Sequence, residues 1–149
     1  MDWNKDKSIL LSKICVGIFA VLLLAADIGA YWLVRLFIGI RPAYEGRQTL
    51  FLILIYLLSL FAWTALLQLW KLLSRIQSGL IFCRENIRCL RIASWCCAGA
   101  ALVCLIYGFL YFPLFVLALA AALMALIVRI VKNCFEHAFA MKSELDLTI

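Results

Sequence analysis

The chain has 149 residues, of which 68% are hydrophobic and only 15% charged, whereas a soluble domain carries roughly a quarter charged residues to keep its surface hydrated. Two prolines and seven glycines leave few breaks, so the apolar runs read as long helices, and their continuity excludes a barrel of strands that alternate over about ten residues. The net charge of +6 has to be explained beside an apolar interior, and a membrane with anionic headgroups supplies the explanation.

In chain order, residues 1–13 form a polar lead with Lys5, Lys7 and Lys13. Residues 14–34 form the first apolar span, and about 20 residues make about 30 Å of helix, the thickness of the hydrocarbon core. Leu24-Ala25-Ala26 faintly resembles a cleavage site, but the run exceeds the apolar core of a signal peptide and three more runs follow, so a retained anchor is expected. A polar connector over 35–49 carries turn signals at Arg41-Pro42 and Glu45-Gly46. The second span, 50–70, ends in Trp70, an interfacial anchor.

Residues 71–91 are a polar hinge. Ser78-Gly79 ends the extension of the second helix, because glycine takes the left-handed cap conformation readily. From Arg84 the spacing predicts a helix in which Arg84, Arg88, Arg91 and Trp95 share one face, since they follow i, i+4, i+7, i+11. The third span is 92–110. Tyr107 to Pro113 forms an uncharged aromatic reversal, with Pro113 suited to the first turn of the next helix. The fourth span, 113–131, is expected to continue as helix to about Lys142. Ile127, Val131, Cys134, Ala138 and Met141 form an apolar stripe along it, which would pack on the hinge helix or lie in the membrane interface. The rest of the extension and tail (132–149) closes with Leu145, Leu147 and Ile149 alternating with polar residues, an extended pattern able to add a strand to a partner's sheet.

Charge sorts by segment. Lys5, Lys7 and Lys13, then Lys71, Arg75, Arg84, Arg88 and Arg91, then Arg129, Lys132 and Lys142 lie in the lead, hinge and C-terminal segment, against Arg35, Arg41 and Arg47 in the connector. The positive-inside rule places both termini and the hinge in the cytoplasm. The expected fold is therefore an all-α integral protein of the cell membrane, a single four-helix domain with a cytoplasmic helical hinge between helices 2 and 3 and a long fourth helix extending into the cytoplasm. Direct nucleic-acid binding by the basic hinge is not expected, because juxtamembrane arginines ordinarily face lipid headgroups.

The hinge sequence Gly-Leu-Ile-Phe-Cys-Arg-Glu-Asn-Ile-Arg-Cys-Leu-Arg-Ile, from Gly79 to Ile92, resembles the Gly-x-x-Phe-Ser-x-Glu-Asn-x-x-x-Leu-Arg hinge of a family of small bacterial membrane proteins catalogued as domain of unknown function 2975. The basic extension of the last helix and its short acidic tail are similar to that family too. Matching positions are Gly79, Phe82, Glu85, Asn86, Leu90 and Arg91. Cys83 departs from the usual Ser or Thr, and a thiol caps the following helix poorly. The resemblance implies no known catalytic activity, and no cofactor is expected. It does imply a partner, since members are often encoded beside a small helix-turn-helix regulator of the Cro/CI type.

Asp27 is the one acid inside a span, which makes it a functional candidate by default. It would serve as a proton or cation site, or pair with Arg35 or Arg41, Arg35 lying about 12 Å further along the helix. Ser59, Thr64 and Gln68 in the second span are candidates for interhelical hydrogen bonds. Seven cysteines include no Cys-x-x-Cys pair, and His137 is the only histidine, so neither a metal site nor a membrane redox enzyme is expected. No base–nucleophile set suggests a hydrolase or transferase. The leading expectation is a non-enzymatic membrane protein that binds or sequesters a regulator through Arg84, Glu85, Asn86, Arg88 and Arg91. The rival is a small four-helix transporter using Asp27, after the manner of the small multidrug-resistance proteins, although those have very short loops and little charge bias.

Overall fold

The computed structural model describes residues 3–148; Ile149 of the tail and the Lys5 side chain of the lead lie outside what it describes. Four helices follow one another, α1 (Trp3–Ile40), α2 (Gln48–Gln77), α3 (Arg84–Gly108) and α4 (Pro113–Leu147), with one 3-10 turn at Pro42–Tyr44. Each contains a stretch long and apolar enough to cross a bilayer, and the protein is a multi-pass membrane protein. At 1.5 Å per residue, α1 and α4 run about 57 and about 52 Å, far beyond a hydrocarbon core of about 30 Å. Both must therefore emerge from it.

Two boundaries differ from expectation. The lead is already helical from Trp3, and α1 continues to Ile40, so the connector shrinks to residues 41–47. Leu36, Phe37 and Ile38 extend the apolar run, and no residue forbids helix before Pro42, which lacks an N–H and disfavours helical angles at Arg41. Arg41 accordingly sits at φ −130° and ψ 79°. At the other end of the chain α4 stays helical to Leu147, so residues 143–147 are not an extended tail. Leu145 and Leu147 alternate with period two in the sequence. Glu144, Leu145 and Lys142, good helix formers with no breaker among them, let the helix propagate instead.

Neighbours in sequence are neighbours in space: α1 packs on α2, α2 on α3 and α3 on α4, whereas among the described residues α1 and α4 share no comparable interface. The result is an open row rather than a closed bundle. The accessible surface is 10499 Å², against ~7,700 Å² for a soluble monomer of this mass. Leucines, isoleucines and phenylalanines fill the excess, among them Ile28 at 76% and Phe109 at 83% exposed, a surface suited to lipid. Gly99 lets α2 and α3 approach closely, because a Cβ there would lie 2.7 Å from Cε1 of Phe61.

The two ends of the row differ. At one, Phe37, Tyr44, Phe51 and Tyr111 form an aromatic cluster with centroids 5.2–5.9 Å apart, and the Arg41 guanidinium sits 5.7 Å from the Tyr111 ring. This cluster joins the α1–α2 turn to the α3–α4 turn, each ring pair contributing about 0.5–1.5 kcal/mol beyond its burial. At the other end, the Lys13 ammonium donates to Gln77 Oε1 at 2.6 Å and lies 5.5 Å from the Trp70 ring. Lys13, the hinge and the α4 extension thus share the hinge end.

Candidate functional site

The hinge is built by the breaks on either side of it. Helix α2 stops at Ser78, and Gly79 takes φ +81°, a left-handed angle that costs a residue with a Cβ roughly 1–2 kcal/mol. The Gly79 N–H then donates to the Ile76 carbonyl and the Leu80 N–H to that of Arg75, which answers carbonyls left open at the helix end. Helix α3 starts after Cys83, which is extended and makes no side-chain cap. Its thiol turns back to the Leu80 carbonyl at 3.8 Å. The missing hydroxyl therefore leaves the helix start in place but without its side-chain acceptor.

Asn86 supplies the closure. Its Nδ2 donates to the carbonyls of Leu80 at 2.9 Å and Ile81 at 2.8 Å, and the side chain is 0% exposed. Of the five hinge residues singled out in the sequence, Asn86 is thus an internal brace of the loop. The other four, Arg84, Glu85, Arg88 and Arg91, are exposed and line one shallow recess. Glu85 stands in the first turn of α3, where a negative charge complements the helix dipole.

Against this helix lies the extension of α4. Phe82 meets Phe135 at 5.7 Å between centroids, the Arg84 guanidinium lies 5.9 Å from the Phe139 ring, and Arg91 Nη2 donates to Glu136 Oε1 at 3.3 Å. Lys132 reaches the same oxygen at 3.2 Å. The face that packs on the hinge is therefore Lys132, Phe135, Glu136 and Phe139. The apolar stripe chosen from the sequence points elsewhere: Ile127, Val131, Cys134 and Met141 are exposed and only Ala138 is partly covered. Phe135 and Phe139, four apart, carry a usable signal, but they share their helix face with Lys132 and Glu136, which breaks the apolar pattern there.

The hydrogen bond from Lys132 holds the Glu136 carboxyl below its ordinary value near 4.5, helped by the charge of Lys132 and by Arg91 and opposed by partial desolvation. A carboxyl with a depressed folded value contributes its stabilisation fully above the unfolded value and loses it as pH falls through the lower folded one. The separation of spin labels at residues 88 and 140, in a chain whose accessible cysteines are replaced, is expected to stay constant from pH 7 to about 4.5 and to widen only below it. In Glu136→Gln it should not respond to acid. Widening already between pH 7 and 5 would assign the contact to another group.

Asp27 sits 32 residues before its main partner. Ser59 Oγ and Trp63 Nε1 both donate to Asp27 Oδ2 at 2.8 Å, while Oδ1 is buried without a partner. Neither Arg35 nor Arg41 answers the acid; Arg41 is taken by Tyr111. The reason is geometric, because Arg35 is on the same helix two turns away and α2 presents donors directly opposite. Thr64 does not bridge helices and donates to the Leu60 carbonyl of its own helix at 2.8 Å. Trp63, an aromatic residue inside an apolar run, carries no signal in the sequence that it partners an acid on another helix. Asp27 and the hinge lie on different elements and are not brought together.

A family profile described as a protein of unknown function (DUF2975) matches residues 39–149. The matched region takes in α2, the hinge, α3 and α4, and leaves Asp27 outside it. No curated protein and no solved structure matches the chain. With the Gly79–Asn86–Arg91 hinge inside a match that covers most of the residues, the chain belongs to the DUF2975 family of proteins of unknown function.

Proposed function

We propose that the protein is a non-enzymatic membrane anchor that binds or sequesters a small cytoplasmic helix-turn-helix regulator of the Cro/CI type at its hinge end. Eleven of the fourteen lysines and arginines lie in segments of that end, which supports a hinge and termini in the cytoplasm by the positive-inside rule. One observation carries the proposal: α4 continues as a helix to Leu147 and is braced against the hinge through Phe82, Phe139 and Glu136. Phe82, Phe139, Lys142, Asp146 and Leu147 border a groove of about 340 Å³ between the two elements. Leu145 at 68% and Leu147 at 84% exposed flank charged neighbours. Apolar side chains held out on a rigid helix beyond the span are what a docking partner covers. The basic ridge of Arg84, Arg88 and Arg91 beside the groove suits an acidic surface.

Co-purification of a small Cro/CI-type helix-turn-helix regulator with the chain tests the proposal. Wild type is expected to retain it, whereas Arg88→Glu, which disturbs no packing, and truncation after Lys142 are each expected to lose most of it. Equal capture by all three would leave only lipid contact for the ridge. Labelling of Cys83 in intact cells by a membrane-impermeant thiol reagent would overturn the orientation.

A second reading, a small transporter using Asp27 as a proton or cation site, is favoured by the orphaned Oδ1. It is weakened by the position of Asp27 outside the family match.

A further inference from the structure

Helices α3 and α4 border a cleft of about 290 Å³ at the hinge end, where both leave the apolar zone. Its polar side is made by Arg91, Arg129 and Lys132, its floor by Ala98, Ala122 and Ala125, and Trp95 stands at its rim. Beneath it the Ser94 hydroxyl donates to the Ala125 carbonyl at 3.1 Å and draws the helices together.

The charges do not balance. Glu136 answers Arg91 at 3.3 Å and Lys132 at 3.2 Å, one carboxylate for two cations. Arg129 has no hydrogen-bond or ionic partner among the described residues. The Lys132 side chain is only 15% exposed, and it lines the cleft wall. A guanidinium presents a planar fork of donors suited to two phosphate oxygens at once. The floor has the opposite character, with three methyl side chains, and Leu126 beside it is 57% exposed. A free phosphate would satisfy the cations and leave this floor and the Trp95 ring, 69% exposed, uncovered. A molecule with an anionic head and an apolar chain fits both parts.

We propose that this cleft is a specific site for an anionic glycerophospholipid, its phosphate held by Arg129 with Arg91 and Lys132 and the start of one acyl chain laid over Ala98, Ala122 and Ala125. The volume is at the small end of ligand clefts, which run roughly 300–1,000 Å³, so it takes the phosphate and its ester arms while the rest of the lipid stays in the bilayer. A lipid seated there covers the seam between α3 and α4 at the level where Arg91 crosses to Glu136. The site shares Arg91 with the ridge proposed above but does not rest on the regulator, and its test turns on Arg129 and Ala122, which lie outside that ridge.

The test uses the full chain extracted from an equal mixture of phosphatidylglycerol and phosphatidylcholine with identical acyl chains, and reads the retained lipid by native mass spectrometry. Wild type is expected to favour phosphatidylglycerol about tenfold, equivalent to about 1.4 kcal/mol. Arg129→Gln should abolish most of that preference. Arg88→Gln, which removes an equal charge from the outer ridge, should leave it intact. Ala122→Leu fills the floor without altering charge and should abolish it as well. Excess inorganic phosphate should leave the preference unchanged. Equal retention of both lipids by wild type, equal losses in Arg88→Gln and Arg129→Gln, or an unaffected Ala122→Leu would each overturn the proposal, the second by reducing it to diffuse attraction. Displacement by inorganic phosphate would overturn it in favour of a free-phosphate site. If Arg129→Gln does not fold, Ala122→Leu, at an exposed position with room for the larger side chain, decides alone.

Discussion

Asn86→Ala is expected to destabilise the hinge by up to about 3 kcal/mol, because two loop carbonyls lose a donor held by a fully buried side chain, each hydrogen bond contributing about 0.5–1.5 kcal/mol. The affected carbonyls are those of Leu80 and Ile81, which Asn86 Nδ2 holds at 2.9 and 2.8 Å. Since α2 and α3 also pack on each other along their length, the loss should appear locally at the loop before it appears globally. Amide exchange at Leu80 and Ile87 should accelerate roughly a hundredfold, the equivalent of about 2.8 kcal/mol, while the interior of α4 keeps its protection. Asn86→Asp should be worse than Asn86→Ala, although it is closer in shape. It replaces two donors by acceptors that face carbonyl oxygens, at a position with 0% exposure. Exchange rates unchanged in both variants would remove Asn86 from the loop's support. A selective loss of regulator capture with unchanged exchange would instead put Asn86 at a binding surface.

The second large effect is expected at Asp27. The double variant Ser59→Ala/Trp63→Phe removes both donors to Oδ2 and leaves an acid inside a span with no partner, at a cost of about 2–4 kcal/mol. Either single change should cost less, about 0.6–1.7 kcal/mol, the range of interhelical hydrogen bonds in membranes. Adding Asp27→Leu to the double variant should recover most of the loss, because the unanswered group is then gone. Thermal unfolding in detergent and steady-state levels in the membrane measure all four. A double variant as stable as wild type would mean that water or lipid reaches the acid and the α1–α2 clasp is unimportant. The transporter reading separates from this one by activity: Asp27→Asn at unchanged protein level that abolished proton-coupled efflux would make the acid a transport group. Loss of protein would identify a clasp.

What the linear chain determines here is what acts over one helix length. Hydropathy runs of about 20 residues must become helices in a bilayer, since no other local structure satisfies the backbone there. Breakers act on their immediate neighbours, so Gly79 and Pro113 stand at helix boundaries in the structure as they do in the sequence. The start of α3 near Arg84 and the one-face spacing of Arg84, Arg88 and Arg91 follow from the same short-range rules. Tertiary structure decided which face each helix turns to its neighbour. A membrane helix is apolar all round, and its periodicity carries little information on packing. The stripe of Ile127, Val131, Cys134 and Met141 does not pack on the hinge, because aromatic and ionic contacts through Phe135, Glu136 and Phe139 orient α4 there; its exposure leaves the other expectation, a place in the membrane interface. The same holds for polar side chains. Asp27 had two arginines nearby in sequence and took Ser59 and Trp63 from across the helix interface, since distance along a helix is rigid and only a neighbouring helix brings donors to contact.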